Sequence, residues 1–163
     1  MNDNEQNFYS LIGLISIRFA KLENAIIEMI SILINSDDNI ISLTLIENNS
    51  LSQNLVLLLK INRSRDFEED QIILWCKKID NIRINRNLFI HGIWSQIMVS
   101  EGKTFIYCEE KKLRYSKLKR GKQWEYNRHI KYSIESLKKE IIQIEKCIID
   151  AEDLLKKLDD YEF

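Results

Sequence analysis

The sequence predicts a mostly α-helical protein: an antiparallel helical bundle with a small β-hairpin insertion between the third long helix and the C-terminal helix. Proline is absent and only four glycines occur in 163 residues, so few residues interrupt helices. Long stretches repeat their apolar residues at alternating spacings of four and three, as in helices with one buried face. One stretch between them is instead rich in β-branched and aromatic residues around glycine, which is typical of hairpins.

The first helix is predicted from about Gln6 to Ile34. Charged residues interrupt its apolar stretch, so it is predicted as a core helix and not as a membrane span, which needs about 20 mostly apolar residues. Shorter helices are predicted from Ile40 to Ile46 and from Leu51 to Ile61. The residues expected to face the core from the first helix are Phe8, Ile12, Ile15, Phe19, Leu22, Ile26, Met29 and Leu33.

The helix that follows these, here called the third long helix, is predicted from Phe67 or Glu68 to His91. Acidic residues at its start favour the positive end of a helix dipole. Gly92 follows His91 directly and is predicted as the C-terminal stop. The helical period runs through Ile72, Cys76, Ile79, Ile82, Arg86 and either Phe89 or Ile90.

Three or four short strands are predicted after Gly92. The first pair flanks a turn at Gly102, and the second pair flanks a basic turn at Gly121. A disordered basic loop is the alternative to the second hairpin. The predicted strands are Ile93 to Val99, Thr104 to Cys108, Lys111 to Leu118 and Gln123 to Tyr126.

Ser133 is predicted as the N-cap of a last helix. Helices before and after the strands each need a partner to bury their apolar faces, so we predict a single domain over residues 1–163, with 93–131 as its hairpin and basic insertion. The apolar face of the last helix comprises Leu137, Ile141, Ile144, Ile148, Ala151, Leu155 and Leu158.

Composition excludes several classes of protein. The three cysteines, Cys76, Cys108 and Cys147, are far apart and are expected to be free thiols in a reducing cytoplasm. No spacing of cysteine or histidine predicts a metal site, and the few glycines argue against a nucleotide-binding loop, so neither metal nor cofactor is expected. The acidic N-terminus lacks the pattern of a secretory signal, so a cytoplasmic protein without a membrane anchor is expected.

Arg86 and His91 stand at the end of the third long helix in the segment Arg-Asn-Leu-Phe-Ile-His-Gly. An arginine, a polar residue, three apolar residues and a histidine resemble the R-x4-H motif of the HEPN (higher eukaryotes and prokaryotes nucleotide-binding) superfamily. The context is also similar, since a long N-terminal helix precedes this one. The resemblance covers roughly residues 6–94 and 133–158.

The resemblance implies a metal-independent ribonuclease whose two copies pair into a homodimer and build one composite cleft. It assigns catalysis to Arg86, Asn87 and His91. Glu23 on the first helix is the candidate acid that holds Arg86 or orients His91, and the alternative is that it is an ordinary surface acid. Members that pair with a nucleotidyltransferase antitoxin often have tyrosine at the position of Ile93, so membership of that subgroup is not expected.

These residue types suit RNA cleavage. Attack by the 2′-hydroxyl needs a base that titrates near neutral pH, as histidine does. A guanidinium can hold two phosphoryl oxygens through parallel hydrogen bonds. Asn87 and His91 share a helix face, whereas Arg86 lies about 140° from His91 around the axis. The structural alternative is that His91 only complements the helix dipole and Arg86 lies on a solvated face.

The segment from Lys111 to Lys131 contains nine basic residues and one acid, in a chain whose net charge is −1. Basic side chains attract RNA phosphates and aromatic rings stack on bases. The alternative is a solvated hairpin, and His129 is expected to contact phosphate or solvent. The predicted RNA-binding residues are Lys111, Lys112, Arg114, Lys117, Lys119, Arg120, Lys122, Trp124 and Arg128.

Three functions follow from these features. The first is an endoribonuclease, acting as a toxin or anti-phage effector as the resemblance implies, with RNA and an antitoxin or defence complex as partners. The second is a catalytically inactive RNA- or protein-binding module. The third is a scaffold built on the first and last helices.

Overall fold

The protein is mostly helical, with five helices and a small antiparallel sheet between the fourth and fifth helices, in the part of the chain described by a computed structural model. That part comprises residues 3–35, 39–100, 102–110, 114–118, 121–125 and 128–162. The helices are α1 (Asp3–Ile34), α2 (Asn39–Ile46), α3 (Leu51–Arg65), α4 (Glu69–His91) and α5 (Ile134–Asp159). The strands are β1 (Ile93–Trp94), β2 (Met98–Ser100), β3 (Lys103–Glu110), β4 (Arg114–Leu118), β5 (Gly121–Glu125) and β6 (Arg128–Ser133).

The chain forms two compact units. The helical unit comprises residues 17–84 and 142–162, and the mixed unit comprises residues 3–16 and 85–141. Helices α1, α4 and α5 contribute residues to both units. A single domain over the whole chain stays a prediction.

The helical unit buries the apolar faces that the sequence predicts. Phe19, Leu22 and Ile26 on α1 are fully buried, as are Ile72 and Ile79 on α4. On α5 the buried face is rotated slightly from the prediction, because Cys147 and Leu154 are buried whereas Ile148 and Leu155 are half-buried.

Helices α4 and α5 run antiparallel in this unit. The Trp75 indole Nε1 donates to the Cys147 carbonyl oxygen at 2.8 Å, and Lys78 Nζ lies 2.9 Å from Asp150 Oδ2. Toward the start of α4, Lys157 Nζ donates to Gln71 Oε1 at 3.2 Å. From Gln71 to Lys78 along α4, the side-chain partner on α5 changes from Lys157 to Asp150, which indicates the antiparallel direction.

Helix α3 is longer than predicted, ending at Arg65 and not at Ile61. A capping box of Ser50 and Gln53 begins it. At its other end the buried Asn62 side chain donates to the Phe67 carbonyl oxygen at 2.8 Å, which fixes the turn into α4. The helix continues one turn further than predicted and ends where Asp66 adopts a left-handed conformation and donates its backbone N–H to the Asn62 carbonyl oxygen at 2.8 Å.

Strand β3 lies between its partners in a four-stranded sheet. It pairs antiparallel with β1 and β2 along one edge and with β6 along the other. The predicted strand from Ile93 to Val99 is therefore two short strands. Between them, the Ser95 backbone N–H donates to the Tyr107 carbonyl oxygen at 2.9 Å, and Ser95 Oγ accepts from the Tyr107 N–H at 3.1 Å.

Strand β6 was not predicted at all. It pairs Phe105 with Ser133 and Glu110 with Arg128. The predicted number of three or four strands is too low for the described residues, which form six. The predicted N-cap is confirmed, because Ser133 Oγ accepts from the Ser136 N–H at 3.2 Å directly before α5.

Two hairpins lie where glycine predicts turns. Gly102 has φ +72°, a left-handed conformation that favours glycine, beside the Ser100–Lys103 pair. The second hairpin, β4–β5, pairs Leu118 with Gly121, so β5 begins two residues earlier than the predicted Gln123. Its register sets Tyr115 opposite Trp124 and Lys117 opposite Lys122.

Among the described helices, none combines the length and the hydropathy that crossing a bilayer requires.

Candidate active site

Arg86, Asn87 and His91 all lie in the last two turns of α4, within the mixed unit. The helix is unbroken here, so Asn87 and His91 share a face one turn apart. Arg86 and Asn87 are half-buried and His91 is exposed. Arg86 Nη1 donates to Asn87 Oδ1 at 3.3 Å. The structure thus joins the guanidinium to the amide and leaves the imidazole open to solvent one turn further on.

Helix α4 ends at His91, as predicted, but Gly92 ends it for a different reason. Gly92 does not adopt a left-handed conformation, and its N–H still donates to the Leu88 carbonyl oxygen at 2.8 Å. A Cβ at this position would lie 2.2 Å from Cys108 Sγ and 2.5 Å from the Leu88 carbonyl oxygen. Glycine is therefore required by the close approach of β3 to the helix end.

Side chains from β1 and β3 donate to backbone carbonyls in the last turn of α4. The Cys108 thiol donates to the Leu88 carbonyl oxygen at 3.4 Å. The Trp94 indole Nε1 donates to the Phe89 carbonyl oxygen at 3.0 Å. Strand β1 follows at once and pairs Ile93 with Glu109. The backbone on both sides of His91 is consequently held in place by the sheet.

Three aromatic rings hold this junction together. The Phe89 and Trp94 rings are stacked with centroids 5.9 Å apart. Tyr132 on β6 meets Phe89 edge-on at 5.1 Å and Trp94 at 5.7 Å. The sequence leaves Phe89 and Ile90 as alternative core positions. The structure buries Phe89 and leaves Ile90 42% exposed. Such pairs add stability beyond their buried area and fix the direction in which α4 ends.

Glu140 on α5 is a residue of this site that the sequence analysis missed. Its Oε1 accepts from Asn85 Nδ2 at 2.9 Å, directly before Arg86 in the chain. Its Oε2 is buried and makes no hydrogen bond within the described residues. Burial raises the pKa of this carboxyl, and the bond from Asn85 opposes that rise. Its spacing in the sequence is the signal that could have found it: Glu140 lies three residues after Leu137 and four before Ile144, on the apolar face of α5.

Glu23 lies in the helical unit, half-buried on α1. The predicted contact of its carboxylate with Arg86 or His91 stays a prediction.

Cys108 lies against the helix end but is not a suitable nucleophile. Burial raises the pKa of its thiol to about 11, so the thiolate is scarce at neutral pH. Cys76 and Cys147 are also buried, and burial raises both of their pKa values. Within the described residues, no cluster of three or more histidine, cysteine or acidic side chains is arranged to bind a metal ion.

The predicted RNA-binding residues are only partly described. Arg114 and Lys117 lie on β4, Lys122 and Trp124 on β5, and Arg128 begins β6. The four others, Lys111, Lys112, Lys119 and Arg120, lie outside the described residues. Because the hairpin follows Glu110 on β3 and precedes Arg128 on β6, its base is at the end of the sheet where Ile93 pairs.

Searches among protein-family models, curated proteins and solved structures found no match to this chain.

Proposed function

We propose that the protein is a metal-independent endoribonuclease that cuts RNA at the C-terminal end of α4. The observation that carries the proposal is the last two turns of α4, where a guanidinium bonded to an amide is followed by a solvent-exposed imidazole. This proposal takes for this chain the activity that its resemblance to HEPN ribonucleases implies. It includes the cytoplasmic location and the role as a toxin or anti-phage effector, with an antitoxin or defence complex as partner.

The chemistry is proton transfer and charge stabilisation. The 2′-oxygen of RNA attacks the adjacent phosphorus as a base removes its proton, and the 5′-oxygen leaves with a proton. His91 performs one of these transfers. Arg86 holds the phosphoryl oxygens on which negative charge builds, and Asn87 orients the Arg86 side chain through their hydrogen bond. The upstream fragment therefore ends in a 2′,3′-cyclic phosphate.

A second copy of the chain completes the cleft. Arg86 and His91 are about 140° apart around one helix, so a single copy presents them in different directions. Two α4 ends that face one another across a two-fold axis supply both groups from each side.

The test is cleavage of a labelled RNA in EDTA, with product ends analysed. The expected products carry a 2′,3′-cyclic phosphate and a 5′-hydroxyl, and a single 2′-deoxy nucleotide at the mapped cut site blocks cleavage there. Cleavage that continues at the 2′-deoxy position would overturn the proposed mechanism.

The second candidate is a non-catalytic RNA- or protein-binding module, favoured by the nine basic residues between Lys111 and Lys131. It predicts RNA binding without cleavage. Reversing the charges of Lys119, Arg120 and Lys122 would then abolish binding, while His91→Ala would leave it unchanged.

A further inference from the structure

The four-stranded sheet has one buried face and one accessible face. Ile106 and Cys108 on β3 are fully buried, so these positions point toward the helix end. Side chains alternate along a strand, which brings Phe105, Tyr107 and Glu109 to the opposite side. Residues directly opposite one another in an antiparallel ladder share a face. The accessible face, here named the outer face, therefore comprises Ile93, Ser95, Met98, Phe105, Tyr107, Glu109, His129, Lys131 and Ser133.

The outer face carries aromatic and basic groups side by side. Tyr107 is half-buried and pairs with the exposed Lys131 on β6. Lys131 Nζ lies 3.5 Å from the centroid of the Phe105 ring. At the rim, Met98 and Ile93 are 53% and 51% exposed. This combination of flat rings, a cation and apolar edges is unusual for a solvated sheet, whose exposed face ordinarily carries polar residues.

We propose that the outer face binds single-stranded RNA and guides it to the end of α4; the inference rests on the proposed function. Tyr107 stacks on an unpaired base, and Lys131 contacts the phosphate backbone. Aromatic side chains on a sheet stack two or three bases in one widespread class of RNA-binding domain. Because Lys131 Nζ covers the Phe105 ring at 3.5 Å from its centroid, Tyr107 is the base-stacking ring and Lys131 is the neighbouring phosphate contact.

The path of the strand follows from the topology. Ile93, Glu109 and His129 form the last row of the outer face, and Ile93 is two residues after His91. The basic hairpin β4–β5 leaves the sheet at this same end. An RNA strand along β3 therefore passes Lys131 and then His129 before it reaches the backbone that carries His91.

Charge and shape select the substrate class. Paired bases hide their faces inside a duplex, so they cannot stack on Tyr107. Glu109 places a negative charge in the last row, where it repels phosphate and can accept a hydrogen bond from the amino group of a base. The outer face thus favours unpaired RNA over duplex.

The experiment measures affinity by fluorescence anisotropy, with a labelled 12-nucleotide single-stranded RNA and the matching duplex. The full chain carries His91→Ala so that the RNA stays intact. Tyr107→Ala and Tyr107→Leu should each weaken single-strand binding about tenfold, whereas Tyr107→Phe should change it less than about twofold. Tyr9→Ala on α1, where Tyr9 is 45% exposed, is the control for loss of an aromatic ring.

Cross-linking of an RNA that contains 4-thiouridine gives a second measurement on the chain without Tyr107 substitutions. Cross-links on Tyr107 and its neighbours on β3 and β6 are expected. Tighter binding of duplex, unchanged affinity of folded Tyr107→Ala, absence of RNA binding, or cross-links confined to other elements would overturn the outer face as an RNA platform.

The two proposals fail separately. If the wild-type chain cuts RNA and Tyr107→Ala binds normally, the platform is wrong and the nuclease stands. If single-stranded RNA binds through Tyr107 and the wild-type chain never cuts it, the platform stands and the nuclease is wrong.

Discussion

At Gly92 the chain has no room for a side chain. We expect Gly92→Ala to lower the free energy of unfolding by about 2 kcal/mol, because the new Cβ meets a backbone oxygen and a buried sulfur. Urea denaturation measures the change. Gly13→Ala is the control, since a Cβ on Gly13 meets nothing within 4 Å and alanine is the better helix former. Equal stability of Gly92→Ala and the wild-type chain would contradict the close contact between β3 and the helix end.

Glu140 makes stability depend on pH. Burial raises the pKa of its carboxyl in the folded state, so its stabilising contribution is complete below the ordinary glutamate pKa. That contribution is lost as pH rises through the raised value. Glu140→Gln should therefore be more stable than the wild-type chain at about pH 7, by up to about 1 kcal/mol, and the gain should shrink toward about pH 4.

Urea denaturation at the two pH values measures this difference. Glu152→Gln, at an exposed position on the same helix, is the control. A Glu140→Gln variant that is less stable than the wild-type chain at neutral pH would show that the charged carboxylate stabilises the fold.

At the scale of elements, Trp94 ties β1 to the last turn of α4. Trp94→Phe keeps a ring beside Phe89 and Tyr132 but removes the donor to the Phe89 carbonyl oxygen. We expect a loss of about 1 kcal/mol in unfolding free energy. Hydrogen exchange should become faster at the end of α4.

Trp75→Phe is the matched control, because it removes an indole donor in the helical unit. Faster exchange at residues 88–94 in that control, with none in Trp94→Phe, would contradict the role of Trp94.

The helices could be predicted because the apolar residues of each helix repeat at the helical period within its own segment of sequence. The predicted buried face of α1 is confirmed at Phe19, Leu22 and Ile26, and α4 ends at His91 as the sequence indicates. Strand β6 could not be predicted, because its partner β3 is distant in sequence and its own pattern is short and charged. Pairing of Ile130 and Tyr132 with buried residues of β3 supplies what the local sequence lacks.

The candidate site likewise combines features that a local sequence pattern predicts with features that depend on contacts between distant segments. Arg86, Asn87 and His91 stand close together in the sequence, so their shared helix was predictable. The Asn85–Glu140 bond and the approach of Cys108 to Gly92 join residues of different elements, and no local spacing reveals them.

At the scale of the whole molecule, charge is distributed unevenly. The chain has a net charge of −1, yet nine basic residues and one acid lie between Lys111 and Lys131. If that segment and the outer face bind RNA, affinity falls steeply with added salt because bound counterions are released. The proposed RNA-binding surface and the proposed catalytic end of α4 lie in the same unit.

The most direct test of this account is the single-turnover rate constant of RNA cleavage at saturating protein in EDTA. His91→Ala should reduce it at least about 100-fold, because general acid–base catalysis typically contributes 10²–10⁴. The exposed position of His91 means that the variant should keep the wild-type circular dichroism and melting temperature. Lys146→Ala, exposed on α5, should cut at the wild-type rate. A folded His91→Ala chain that cuts RNA as fast as the wild-type chain would contradict the account.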